Sequence, residues 1–265
     1  MSLAKAVILG LVQGLTEFLP ISSSAHLVYF QNYLGIDKPQ LSFTVSLHFA
    51  TLLAIILFFR RDLWEILRGF RNIKGPRANP STRILFLLVI GSLPIAILGA
   101  LVKDKVESLF SNIELVSFFL ILTGILLFFG DRIRSAHKGV LETRIVDGLI
   151  VGIAQACAIL PGISRSGATI IFGLFCGLQR RWAVEYSLFL AVPAILGATI
   201  IEIPNTIFMV NHTALSYYIV GAVTALFSGY WSLRVLLSFV QKSRLRYFAY
   251  YCTILGLIVL FIQIW

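Results

Sequence analysis

Apolar residues run along this chain in blocks of about twenty, interrupted by prolines, serines and clusters of arginine and lysine. A block of that length is what an α-helix needs to cross a hydrocarbon layer about 30 Å thick. Full spans are expected at about 41–59, 84–102, 114–131, 183–202, 214–238 and 246–264. Two other stretches depart from the pattern. Residues 3–19 read as a helix, but Gln13, Thr16 and Glu17 fall in its second half and Pro20 ends it. About 17 residues make a helix of roughly 25 Å, short for the layer. Ile21-Ser22-Ser23-Ser24 follows, then another short helical run to about Leu34. Residues 145–178 repeat this: a short helix with Gln155, a break at Leu160-Pro161, and a second short helix to Gly177. Two short helices joined at a polar break predict a re-entrant hairpin, permitted only where protein or a water-filled cavity surrounds it.

Composition agrees with the pattern. The 265 residues are 58% hydrophobic and 13% charged, and the mean hydropathy is +0.90. That is a polytopic membrane protein, not a soluble domain. The net charge of +10 is no sign of nucleic-acid binding, because the basic residues sit in short loops that orient the chain. The loop from 60 to 83 is the most basic, with Arg60, Arg61, Arg68, Arg71, Lys74, Arg77 and Arg83. It is expected on the cytoplasmic side, with the loop bearing Arg132, Arg134, Lys138 and Arg144 and the one bearing Lys242, Arg244 and Arg246. The connection with Lys103 and Lys105 against Asp104, Glu107 and Glu114 is less basic, and 203–213 carries no lysine or arginine. Cys157, Cys176 and Cys252 lack metal-ligand spacing and read as inert thiols. The N-terminal stretch has no small-residue cleavage site and is not read as a signal peptide.

The halves can be laid on one another. Leu19-Pro20-Ile21-Ser22-Ser23-Ser24-Ala25 matches Leu160-Pro161-(Gly162)-Ile163-Ser164-Arg165-Ser166-Gly167, and Ser46-Leu47 matches Ser187-Leu188. The fold expected is therefore an all-α inverted repeat, 1–134 and 145–265, within a single membrane domain. Each half is one re-entrant hairpin plus three transmembrane helices. Three spans are odd in number, so the halves are inverted relative to each other. The first hairpin would enter from outside and the second from inside, with their tips meeting near mid-membrane.

The chemistry gathers at those tips. An arginine flanked by Ser164 and Ser166 just after Pro161-Gly162 is costly to bury in hydrocarbon. Ser164 can cap the next helix, whose free N–H groups then face an anion, and Arg165 adds a planar fork of donors suited to phosphate. Gln13 and Glu17, four apart, share a helix face, as do Ser23 and His26, three apart. A carboxylate, a serine, an imidazole and an arginine at opposed helix starts make a phosphate site with nucleophile and proton-transfer groups beside it. Arg165 is read as the phosphate holder, Ser23 as the nucleophile, and Glu17 as a base or holder of a divalent cation. His26 would deprotonate Ser23 or protonate the leaving group. Ser164, Ser166 and Thr169 are read as orienting hydroxyls. His48 fits a cavity lining and a satisfied core histidine equally.

These two stretches, Gln13-Gly14-Leu15-Thr16-Glu17-Phe18-Leu19-Pro20-Ile21-Ser22-Ser23-Ser24-Ala25-His26 and Pro161-Gly162-Ile163-Ser164-Arg165-Ser166-Gly167-Ala168-Thr169, closely resemble the undecaprenyl-diphosphate phosphatase, or bacitracin-resistance, family. The resemblance covers essentially the whole chain. It implies an integral membrane hydrolase that removes one phosphate from undecaprenyl diphosphate, recycling the lipid carrier of peptidoglycan synthesis and lowering bacitracin susceptibility. The family's functional positions carry over to Glu17, Ser23, His26 and Arg165. Gln13, Ser164, Ser166 and Thr169 are expected to bind substrate beside them. Some members have Glu where this chain has Gln13, and an amide is the weaker metal ligand. A divalent cation, Mg or Ca, is expected to come with the diphosphate and to meet Glu17, with no organic cofactor. The resemblance further implies the bacterial inner membrane, a site opening to the periplasmic face, lipid partners, and compatibility with a homodimer. Inverted repeats with broken helices are also transporter architecture. A polyprenyl-phosphate flippase using the same site is the alternative, although it needs no nucleophile.

Overall fold

The computed structural model describes residues 1–36, 41–69, 79–133, 136–209, 212–242 and 244–264, the side chains of 41, 103–107, 202–209, 212–214, 241 and 264 excepted. Arg71, Lys74, Arg77 and Arg134, and the side chains of Lys103, Asp104, Lys105 and Glu107, lie outside the described residues. Eleven helices make up the described fold: α1 (Leu3–Phe18), α2 (Ser23–Tyr33), α3 (Leu41–Phe58), α4 (Arg60–Gly69), α5 (Pro80–Leu109), α6 (Ile113–Asp131), α7 (Ile145–Cys157), α8 (Arg165–Phe175), α9 (Arg180–Met209), α10 (His212–Gln241) and α11 (Leu245–Ile264). Among the described residues, five helices are long and apolar enough to cross a membrane. A sixth span results when α3 and α4, bent by 81° at their junction, are counted as one. The chain is an all-α polytopic membrane protein.

Helices that run through lipid keep apolar side chains on their outer faces, and here Leu101, Phe227 and Phe261 are 75%, 71% and 64% exposed. In water such faces would drive aggregation; in hydrocarbon they are the solvent-matched surface. Buried apolar residues come instead from the short helices and the faces turned toward them, such as Phe18, Ile170, Ile171 and Leu174.

The short helices α1, α2, α7 and α8 have 16, 11, 13 and 11 residues. None is long enough to cross a layer of about 30 Å. Between α1 and α2, Leu19-Pro20 leaves the helix, and Ser22 takes a positive φ of 67° before capping α2. Between α7 and α8 the left-handed position is Gly162, at φ 103°. A Cβ there would lie 2.2 Å from the carbonyl oxygen of Val116, so both conformation and space demand glycine.

Helix pairing recurs in the two halves. α1 packs on α10 and α7 on α5; α3 packs on α10 and α9 on α5; α1 pairs with α2 and α7 with α8. The central approaches match as well. A Cβ on Gly10 would come 2.5 Å from the carbonyl oxygen of Gly221, and one on Gly152 would come 2.4 Å from that of Gly91. Backbones this close are the mark of small-residue packing in membranes.

Element boundaries differ from the expectation in the loops. Residues 60–69, read as part of a basic loop, form α4. Its Ile66 and Gly69 are buried on α5 while Trp64 and Leu67 stay 57% and 55% exposed. Asp62 in its first turn and Arg68 in its last suit the helix dipole. α5 and α9 also run past the expected ends, to Leu109 and Met209. A helix satisfies its own backbone and does not stop where the hydrocarbon does.

Candidate active site at the paired helix breaks

Each break is built by a serine cap. Ser22 Oγ accepts from the backbone N–H of Ala25 at 3.4 Å, and Ser164 Oγ from that of Gly167 at 3.1 Å. Ser22 Oγ also meets Ser24 Oγ at 3.1 Å, and Ser164 Oγ meets Ser166 Oγ at 3.2 Å. Capping leaves the first N–H groups of α2 and α8, on Ser23, Ser24, Arg165 and Ser166, with no carbonyl one turn back to receive them. Such groups draw negative charge.

The two tips are tied to each other. Ser24 Oγ accepts from the N–H of Gly162 at 3.2 Å, and Ser166 Oγ donates to the carbonyl of Leu19 at 3.2 Å. Thr123 of α6 braces the second tip, donating to the Gly162 carbonyl and accepting from the Ser164 N–H, both at 3.1 Å. Thr169 donates to the Arg165 carbonyl at 2.8 Å and meets Ser187 Oγ of α9 at 2.5 Å. Ser164, Ser166 and Thr169 are all buried, with hydroxyls engaged inside the protein.

Glu17 is the hub. Its Oε1 accepts from Arg165 Nη2 at 3.0 Å. Its Oε2 accepts from Ser23 Oγ at 2.6 Å and from Gln13 Nε2 at 3.0 Å. Gln13 Oε1 is buried with no partner among the described residues. A buried carboxylate requires this many donors, because an unpaired one would be prohibitively costly. Arg165 also donates from Nη1 to the Ser187 carbonyl at 3.4 Å, which fixes the plane of its fork. Ser23, Ser24 and Arg165 are only partly buried, so the cluster has an open side.

The structure thus brings Gln13, Glu17, Ser23 and Arg165 together. His26 is held apart from them: its Nδ1 bonds the Ser22 carbonyl at 2.8 Å and its Nε2 the Tyr251 hydroxyl at 2.7 Å. Its ring stacks on Tyr251 of α11 with centroids 5.6 Å apart. The shared helix face with Ser23 gives no hydrogen bond between the two, and the partner of the Ser23 hydroxyl is Glu17. His48 of α3 joins the cluster, with Nδ1 3.2 Å from Glu17 Oε2 and 2.8 Å from Gln13 Nε2. The signal for it was an ionisable residue inside a span. Tyr251, Ser187 and Thr123 had no such signal. Among the described residues no three of His, Cys, Asp and Glu come together as a metal cage.

A carboxylate that receives a serine hydroxyl and is paired with an arginine, beside two capped helix starts, can bind a phosphate and activate a nucleophile toward it. The comparisons point the same way. The family described as bacitracin resistance protein BacA matches residues 6–258. An undecaprenyl-diphosphatase of Methanobrevibacter smithii is 40% identical, covering 98% of this chain and 97% of its own. One from Halothermothrix orenii is 39% identical over 98% of each chain. Another, from Syntrophotalea carbinolica, is 42% identical over 97% of each.

Proposed function

This chain belongs to the BacA bacitracin-resistance family, and on that premise we propose that it hydrolyses undecaprenyl diphosphate to undecaprenyl phosphate and inorganic phosphate. The reaction recycles the lipid carrier of peptidoglycan synthesis and lowers susceptibility to bacitracin. One observation carries the reading: Glu17 and Arg165, 148 residues apart in sequence, meet at 3.0 Å with the Ser23 hydroxyl on the same carboxylate. Carriage of a lipid across the membrane needs no serine bonded to a base, so this pairing favours hydrolysis over the flippase.

The terminal phosphate is received by Arg165 and by the open N–H groups at the starts of α2 and α8, which offset its charge. As the phosphate draws Arg165 away, Glu17 becomes available as base for Ser23, whose oxygen attacks the terminal phosphorus. Gln13 orients the carboxylate. Ser164, Ser166 and Thr169 keep the tips in register, and His26 fixes the first turn of α2 against α11. Glu17 is already committed to four side chains, so the residues present do not fit a resident metal. A divalent cation, Mg or Ca, arrives as the counter-ion of the diphosphate. The site lies in a bacterial inner membrane and opens to the periplasmic face. The scaffold is a pair of inverted repeats, 1–134 and 145–265, a reading supported by the matching helix pairs and by the Gly10–Gly221 and Gly152–Gly91 approaches.

Phosphate release from undecaprenyl diphosphate by the purified protein in detergent, with and without divalent cation, tests this directly. Native protein should release phosphate, and Glu17→Ala and Arg165→Ala should not. Saturable lipid binding without release by native protein would sink the hydrolase and leave a carrier.

A further inference from the structure

His48 has no part in the reading above, yet it touches the carboxylate at its centre. Its Nδ1 stands 3.2 Å from Glu17 Oε2, and its side chain is 28% exposed against 4% for that of Glu17. It is therefore the more exposed member of the pair.

Proton placement follows from the hydrogen bonds. Gln13 Nε2 carries two protons, and two acceptors lie within reach: Glu17 Oε2 at 3.0 Å and His48 Nδ1 at 2.8 Å. With both donated, the single lone pair of Nδ1 is taken by the Gln13 N–H and the ring proton sits on Nε2. When that N–H lets go, Nδ1 and Glu17 Oε2 stand 3.2 Å apart, two acceptors with room for one proton between them. Ser23 Oγ donates into that same carboxylate oxygen from 2.6 Å. The line Ser23 Oγ, Glu17 Oε2, His48 Nδ1 is continuous.

His26 cannot take this place. Its Nδ1 faces the Ser22 carbonyl, which has no proton to give, so Nδ1 is the donor there; Nε2 then accepts from Tyr251. Both nitrogens are occupied and the residue is 4% exposed. Charge around His48 is simple. Glu17 of α1 is its ionic neighbour, with Arg165 of α8 on the far oxygen. α10 meets α3 through Gly221 against Phe43 and Leu47, and Gly229 against Thr51 and Ala54.

We propose that His48 is the proton acceptor behind Glu17 in phosphoryl transfer, an assignment that rests on the phosphatase reading with Ser23 as nucleophile. In the first half, the bond from Ser23 Oγ to the terminal phosphorus forms and the phosphorus–bridging-oxygen bond breaks. The electron pair leaves with undecaprenyl phosphate. The Oγ proton passes to Glu17 Oε2 and on to His48 Nδ1, leaving an imidazolium beside a carboxylate that can again pair with Arg165. In the second half, water adds to the phosphoserine and the Oγ–phosphorus bond breaks. One water proton returns to Ser23, the other leaves on inorganic phosphate, and His48 releases its proton through the open side. Atoms and charge balance with water as the one co-reactant. The assignment makes His48 a relay that acts through Glu17, not a group that touches substrate.

Three proteins in the phosphate-release assay decide it: native, His48→Ala and His48→Gln. Loss of a relay should lower kcat in His48→Ala by about a hundredfold or more while KM stays within about twofold. Free imidazole should restore turnover in proportion to its concentration, which a packing defect would not allow. His48→Gln keeps the size and can still accept from Gln13, but takes no proton, so it should stay slow. Native turnover in either variant overturns the assignment, as does a His48→Ala protein that imidazole does not revive. Absence of release from native protein overturns the phosphatase reading itself, and the relay with it.

Discussion

Glu17 and Arg165 hold each other's charge in a place with little water, and each is costly alone. Removing one partner of a buried pair costs about 3–5 kcal/mol, mostly by stranding the other. Arg165→Ala should therefore lose stability as well as activity. The double variant Glu17→Gln, Arg165→Met should recover most of the stability and none of the phosphate release. Thermal unfolding in detergent beside the activity assay reads both. Much of this cluster was legible in the chain. Glu17, Arg165 and Ser23 stand out because a carboxylate, a guanidinium and a serine run have no cheap place in apolar sequence. His48 does not stand out in the same way, because a lone histidine fits a packed interior as well as a site. The bond from His26 to Tyr251 spans 225 residues, and no local pattern announces it. The pairing of Ser23 with Glu17 instead of His26 was hidden for a related reason. Helical spacing tells which residues share a face, but not what lies across the break at Pro20.

Among elements, the apolar blocks predicted the long helices well, since length and hydrophobicity suffice to mark a span. They failed at α4, where arginines masked the i, i+3 placing of Leu63 and Ile66. The closest helix crossings were also invisible, because a glycine at an interface and one on an open face look alike in sequence. That difference is testable. Gly152→Ala puts a Cβ 2.4 Å from the Gly91 carbonyl oxygen and must push α7 off α5. Among the described residues, nothing beyond its own stretch of α9 lies within 4 Å of where a Cβ on Gly197 would be. Gly152→Ala should lower the melting temperature by several degrees, a loss of about 1–3 kcal/mol from overpacking. Gly197→Ala should leave it unchanged or raise it slightly, since alanine favours helix by about 1 kcal/mol over glycine.

For the whole molecule, the basic loops carry the orientation. If α4 and the loop after it face the cytoplasm, the turn between α5 and α6 faces the other way. In a protein with its native cysteines replaced, Glu65→Cys and Ser111→Cys should report opposite sides. A membrane-impermeant maleimide applied to intact cells should label the second and spare the first; equal labelling of both would refute the topology. Pattern alone suggested two hairpins meeting within the membrane. What it did not supply was the lock between them, because the Gly162–Ser24 and Ser166–Leu19 bonds depend on side-chain placement at two turns far apart in the chain.

Ser23 and Arg165 occupy the same slot, each the first residue of a helix capped by the serine before it. One brings a hydroxyl and the other a fixed positive charge. Two copies of a single identical half would offer two hydroxyls or two cations, and neither set can both seize a phosphate and attack it. The chemistry therefore belongs to the difference between the two capped tips, not to the cap that both of them have.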